Sequence, residues 1–169
     1  PWAGINGQPV TADMAESIGL MRSGGIMISE IHRESPFFKA GFEAGDVILA
    51  VDDEPVNTPS EMVFRMSVAG IGNESSVLVF TEGETDTRKV RLTAPPDVPA
   101  RDEVETGRST PMPGVRVINV NPAVLAEFGL PLSSNGIVVA DPGQLGLRAG
   151  LRRGDVIATI NGERVSDTG

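Results

Sequence analysis

Short aliphatic runs, each cut off by Gly, Pro or an acidic pair, recur along the chain and predict strands. In the N-terminal half such runs cover residues 25–31, bounded by Gly24-Gly25 and Pro36, and residues 46–51, followed by the turn Asp52-Asp53-Glu54-Pro55. Residues 76–80 and 88–92 flank Glu82-Gly83-Glu84-Thr85-Asp86 and read as a hairpin. Helical spacing predicts a short helix over residues 12–18, ending at Gly19. A second helix is predicted over residues 60–69, with Thr58 as N-cap, Pro59 at the first helical position and Gly70 as the stop. Several strands and two helices in so short a span make a small, partly open barrel.

The chain also repeats itself. Ala40-Gly41-Phe42-Glu43-Ala44-Gly45-Asp46-Val47-Ile48 returns as Ala149-Gly150-Leu151-Arg152-Arg153-Gly154-Asp155-Val156-Ile157. Glu54 and Val56 return as Glu163 and Val165. Upstream, Ile18-Gly19-Leu20 answers Phe128-Gly129-Leu130, Gly25-Ile26 answers Gly136-Ile137, and Gly4-Ile5 answers Gly114-Val115. Order is kept, so two homologous units are expected: 1–95 and 113–169. Residues 96–112, with Pro96, Pro99 and Pro111 among Asp97, Asp102, Glu103 and Glu105, read as a Pro-rich acidic linker. After Val165 only four residues remain, so the second unit should lack its second helix and last strands. The expected fold class is mainly β with short helices (α+β): two partly open barrels in tandem, the second incomplete at its C-terminus.

Charge and composition then exclude whole classes of function. The formal net charge is −9, which argues against nucleic acid, since a duplex partner needs a basic face. The first unit alone carries −7 and the last 56 residues are neutral. With no Cys and one His, structural zinc, iron–sulfur clusters, thiol nucleophiles and disulfides are ruled out, and no cofactor or metal is expected. No apolar run approaches the roughly 20 residues of a membrane span. The first residue is Pro, which suggests a piece of a longer chain.

Catalytic chemistry finds no foothold. A serine triad needs a His base, and His32 reads as a partly exposed strand-end residue among Glu30, Arg33 and Glu34. No Gly-x-Ser-x-Gly elbow, Walker A motif or dinucleotide fingerprint is present. Asp52-Asp53-Glu54 lacks EF-hand spacing and reads as a solvated turn. What remains is a site built from backbone. Trp2-Ala3-Gly4-Ile5 puts small residues before a strand, a turn able to aim successive N–H groups at a carboxylate. The adjoining strand edge would take up an extended peptide. Val63 and Met66 of the second helix would form the opposite wall, although Met62, Phe64, Met66 and Val68 also fit a plain core.

Ala-Gly-x-x-x-Gly-Asp-Val-Ile, present in both units, resembles the signature of bacterial PDZ domains. Pro1-Trp2-Ala3-Gly4-Ile5 is similar to the carboxylate-binding loop opening the first PDZ domain of Do-like (HtrA/Deg family) serine proteases. The resemblance covers essentially the whole chain. It implies a peptide-binding pair recognising C-terminal apolar residues, or unfolded segments, as the substrate-binding or regulatory part of such a protease. The trypsin-like catalytic domain would precede this segment, which itself would not be an enzyme. Other domains or subunits of the parent are implied partners, and a periplasmic or envelope location is implied. By position, Trp2, Ala3, Gly4 and Ile5 match the carboxylate loop, and Val63 and Met66 the helix wall. Pro113, Gly114, Val115 and Arg116 match the loop of the second unit. Ala3 stands where the family commonly has a larger apolar residue, and the second loop has no aromatic. A non-proteolytic scaffold of an envelope or secretion assembly is the alternative.

Overall fold

The computed structural model describes residues 1–169 and divides them into two units, Pro1–Pro95 and Pro96–Gly169. The first contains β1 (Ile5–Pro9), α1 (Ala12–Ile18), β2 (Ile26–Ile31), α2 (Pro36–Lys39), β3 (Val47–Val51), β4 (Glu54–Pro55), α3 (Pro59–Ala69), β5 (Glu74–Thr81) and β6 (Glu84–Arg91). Its sheet runs β1-β2-β3-β5-β6, with β4 on β3 and every pairing antiparallel. The sheet is open, but its ends approach: the N–H of Trp2, before β1, donates to the carbonyl of Thr93, after β6.

Local chemistry explains the elements. The Thr58 side chain accepts from the Glu61 N–H, Pro59 follows it, and the Gly70 N–H closes the far end on the Met66 carbonyl. α3 therefore starts and stops where its sequence signals stand. The short α2, which hydrophobic spacing does not disclose, begins at Ser35-Pro36 with the Ser35 hydroxyl accepting from Phe37 N–H. Inside, Phe37 and Phe42 meet edge to face at 5.2 Å between centroids, among Ile26, Ile28, Ile48 and Met66.

The second unit contains β7 (Val104–Glu105), β8 (Arg116–Asn119), α4 (Pro122–Phe128), β9 (Ile137–Asp141), α5 (Gly143–Arg148), β10 (Val156–Ile157), β11 (Thr159–Ile160) and β12 (Glu163–Arg164). The order β8-α4-β9-α5-β10 restates β1-α1-β2-α2-β3. The repeated Gly-Asp pair does the same work twice. Gly45 and Gly154 sit at φ 97° and 92°, where L side chains are strained. The Asp46 carboxylate accepts from Glu43 N–H and the Asp155 carboxylate from Arg152 N–H, each at 2.9 Å. The following strand is thereby set against β2 in one unit and β9 in the other, through Ile28 N–H to Asp46 C=O and Val139 N–H to Asp155 C=O.

Residues 96–112 depart from the linker expectation, because the structure takes them into the second unit. Asn121 donates to Asp97 and to the Pro99 carbonyl, Asn119 donates to the Ala100 carbonyl, and β7 pairs with β8. Arg101, and after it Asn121, hold the Asp97 carboxyl below its ordinary pKa through hydrogen bonds. The segment is held by polar and backbone bonds, so hydrophobic spacing could not reveal it. No helix is long and apolar enough to cross a membrane.

Candidate functional site

β1 is an edge strand, and its ladder fixes which of its polar groups are free. Ile5 lies opposite Ile31, and the bond flanking that pair runs from His32 N–H to Gly4 C=O. Ile5–Ile31 is thus a non-hydrogen-bonded pair, so the N–H and C=O of Ile5 point away from β2. A bulge follows between Asn6 and Gly7, and the Val10 N–H to Gly25 C=O bond places Gly7 and Pro9 in the same outward class. The free edge offers paired donor and acceptor groups at Ile5 and Gly7 and ends at Pro9, which has no N–H.

The loop before β1 continues this row. The Ala3 and Gly4 N–H groups make no hydrogen bond within the chain. The loop is nevertheless rigidly suspended: Trp2 N–H holds Thr93, Gly4 C=O holds His32, and the buried Ser35 hydroxyl donates to Ala3 C=O. Gly4 has φ 65°, and a Cβ there would stand 2.8 Å from the Trp2 ring and 2.9 Å from Ser35 Cβ. No other residue fits without moving the loop. The Trp2 indole in turn packs edge-on to His32 with centroids 5.6 Å apart. His32 Nδ1 accepts from the Glu34 N–H, and partial burial lowers the imidazole pKa while Glu34 and Glu30 oppose the shift.

The structure separates the two expected wall residues. Met66 is fully buried in the core with Ala3, Ile28 and Met62, whereas Val63 is 42% exposed. The buried stripe of α3 is Met62-Met66-Ala69, and Val63 lies one step round from it. Arg65 on the other flank reaches Glu54 of β4 at 3.4 Å, and α3 packs against β1 as well as β3. Met66 belongs to the core and offers no exposed wall. Phe64 and Val68 are exposed, contrary to a simple core reading. Sequence reasoning misses Ser35; its Ser-Pro pair is the available signal, as a helix start in an unassigned stretch.

A cavity of about 920 Å³ lies elsewhere, between Leu20, Met21, Leu49, Asn57 and Phe80. None of the expected site residues lines it. A strand edge is a row of polar atoms and not a hollow, so cavity size does not locate it.

The second-unit residues are placed differently. Gly114 N–H donates to the Thr106 carbonyl and Val115 N–H to Thr106 Oγ1, both at 3.0 Å. Arg116 bridges Glu103 and Asp141, and Pro113 has no N–H to offer.

The sequence profile described as PDZ domain matches residues 5–92, more than half of the chain. The chain belongs to the PDZ domain family. This PDZ chain is 30% identical over 170 residues to the probable periplasmic serine endoprotease DegP-like of Rhizobium meliloti (strain 1021), covering 97% of this chain and 33% of that protein. The protein of the same description from Marinomonas sp. (strain MWYL1) is 31% identical over 169 residues, covering 98% and 34%. Among solved structures, a variant of the HtrA-type protease AlgW with a decapeptide matches at a TM-score of 0.52 and 27% identity, over 59% of this PDZ chain and 30% of that one. The chain spans about a third of the length of the curated relatives, and their names agree with the expected periplasmic location.

Proposed function

We propose that the first unit binds polypeptide C-termini ending in an apolar side chain, as the substrate-binding or regulatory part of a DegP-like envelope serine protease. The observation that carries this reading is the continuous row of unpartnered donors, Ala3, Gly4 and Ile5 N–H, leading onto the free edge of β1. A terminal carboxylate would take the loop donors, and the last residues would pair antiparallel with Ile5 and Gly7. Ile5 and Val63 would flank the terminal side chain above the Met66 floor. Burying one aliphatic group there contributes about 1.5–3 kcal/mol. Ordering the peptide opposes that gain, so the affinity expected is on the order of micromolar. The decapeptide named with the AlgW variant supports a peptide ligand. The net charge of −7 on the first unit favours basic peptides, less so at high salt.

Fluorescence anisotropy with labelled decapeptides differing only in the last residue tests the specificity. Val at the terminus is expected to bind tightest and Asp at least roughly tenfold more weakly, a difference of about 1.4 kcal/mol. Equal binding of the two would overturn the apolar assignment.

A further inference from the structure

The repeat makes Gly114 and Val115 the counterparts of Gly4 and Ile5, and β8 the counterpart of β1. In the first unit these groups are bare, yet in the second they are filled. The strand order β10-β9-β8-β7 places β7 on the side of β8 that corresponds to the free edge of β1. The occupant lies antiparallel, with Val104 opposite Val117 and Glu105 opposite Arg116, and advances toward the loop. Thr106 then ends the run, donating its N–H to Val115 C=O at 2.9 Å. Its carbonyl and hydroxyl oxygens accept from Gly114 N–H and Val115 N–H, so two oxygens of one residue occupy the loop donors. Farther back, Arg101 C=O accepts from Asn119 N–H, and Glu103 meets Arg116 at 3.3 Å.

We infer that the second unit carries a peptide-end site whose resident ligand is residues 101–106 of the same chain. The inference rests on the edge-and-loop reading of the first unit and adds the state of the second. The preferred ligand class differs as well: a small hydroxylated last residue, with an acidic residue three places before it facing Arg116. Only residues 107–113 separate Thr106 from Gly114, so the tether presents the segment at an effective concentration on the order of millimolar. An external peptide of micromolar to millimolar affinity is held off by that competition, and the intact chain takes up external ends at the first unit alone.

Two variants of the full chain test this. Thr106→Val keeps the backbone and removes the hydroxyl, which accepts from Val115 N–H and donates to the Met112 carbonyl. Amide hydrogen exchange at Val115 should then quicken several-fold while Gly114 stays protected; unchanged exchange at Val115 would overturn the inference. The double variant Val104→Pro/Thr106→Pro removes the donors that the segment turns toward β8. A free-acid hexapeptide of residues 101–106 titrated into it should shift the Gly114, Val115 and Arg116 amides, with at least roughly tenfold tighter binding than to the unaltered chain. Equal binding to both, or no shift at those amides, would refute the resident-ligand assignment. The Ala3, Gly4 and Ile5 amides report the first unit separately, so failure there is read independently.

Discussion

The buried hydroxyl of Ser35 donates to the carbonyl of Ala3, 32 residues earlier, while accepting the Phe37 N–H. One side chain thereby starts α2 and fixes the turn that presents the Ala3 and Gly4 N–H groups. Ser35→Ala would orphan the Ala3 carbonyl and remove the helix cap. A loss of about 1–3 kcal/mol is expected from urea unfolding, since a buried acceptor loses its partner. Peptide affinity should fall too, and restored binding in Ser35→Thr would confirm that the hydroxyl is responsible.

Val63 and Met66 sit three residues apart on α3, one open and one closed to solvent. Their alanine variants should therefore fail in different assays. Val63→Ala is expected to weaken peptide binding several-fold with stability changed by less than about 0.5 kcal/mol, as for other surface positions. Met66→Ala should cost about 2–5 kcal/mol of stability by leaving a cavity. The reverse pattern in paired melting and binding curves would show that the wall belongs to the other residue.

Much of the first unit is legible in its amino-acid sequence. Thr58, Pro59 and Gly70 announce α3, and the aliphatic runs announce β2, β3 and β5, because capping and alternation are local effects. The Gly4 turn stands out as a candidate because only glycine suits its backbone. Met66 is harder to place for a physical reason: Pro59-Val63-Met66 and Met62-Met66-Ala69 are both helical stripes, and packing alone decides which faces inward. Residues 96–112 escape a reading by hydrophobic pattern because their contacts are backbone pairing and amide hydrogen bonds, which leave no apolar period. Ser35 acts across the fold, and its role in holding Ala3 exists only once α2 has docked beside the loop.

His32 and Trp2 supply an internal pH reporter, because Trp2 is the only Trp. Burial lowers the His32 pKa against the opposing pull of Glu34 and Glu30. Trp2 fluorescence is expected to be quenched on acidification with a midpoint below the ordinary histidine value of about 6.5, and His32→Gln should flatten the curve. Stability moves in the same direction. The unfolded chain binds the proton more readily, so the contribution of neutral His32 is full above the unfolded value and is lost as pH falls through the lower folded one. Partial exposure keeps that contribution small. A midpoint above 6.5 would contradict the burial-dominated environment.

The peptide recognition proposed for the first unit turns on capture of a terminal carboxylate by the backbone N–H groups of the loop before β1. Two decapeptides ending in Val, one a free acid and one amidated, differ only in the group the loop is held to recognise. Amide NMR of the full chain should show saturable shifts at Ala3, Gly4 and Ile5 with the free acid, and at least roughly tenfold weaker binding of the amide. Equal affinity of the two peptides, or binding that leaves the Ala3 and Gly4 amides unmoved, would contradict carboxylate capture by this loop.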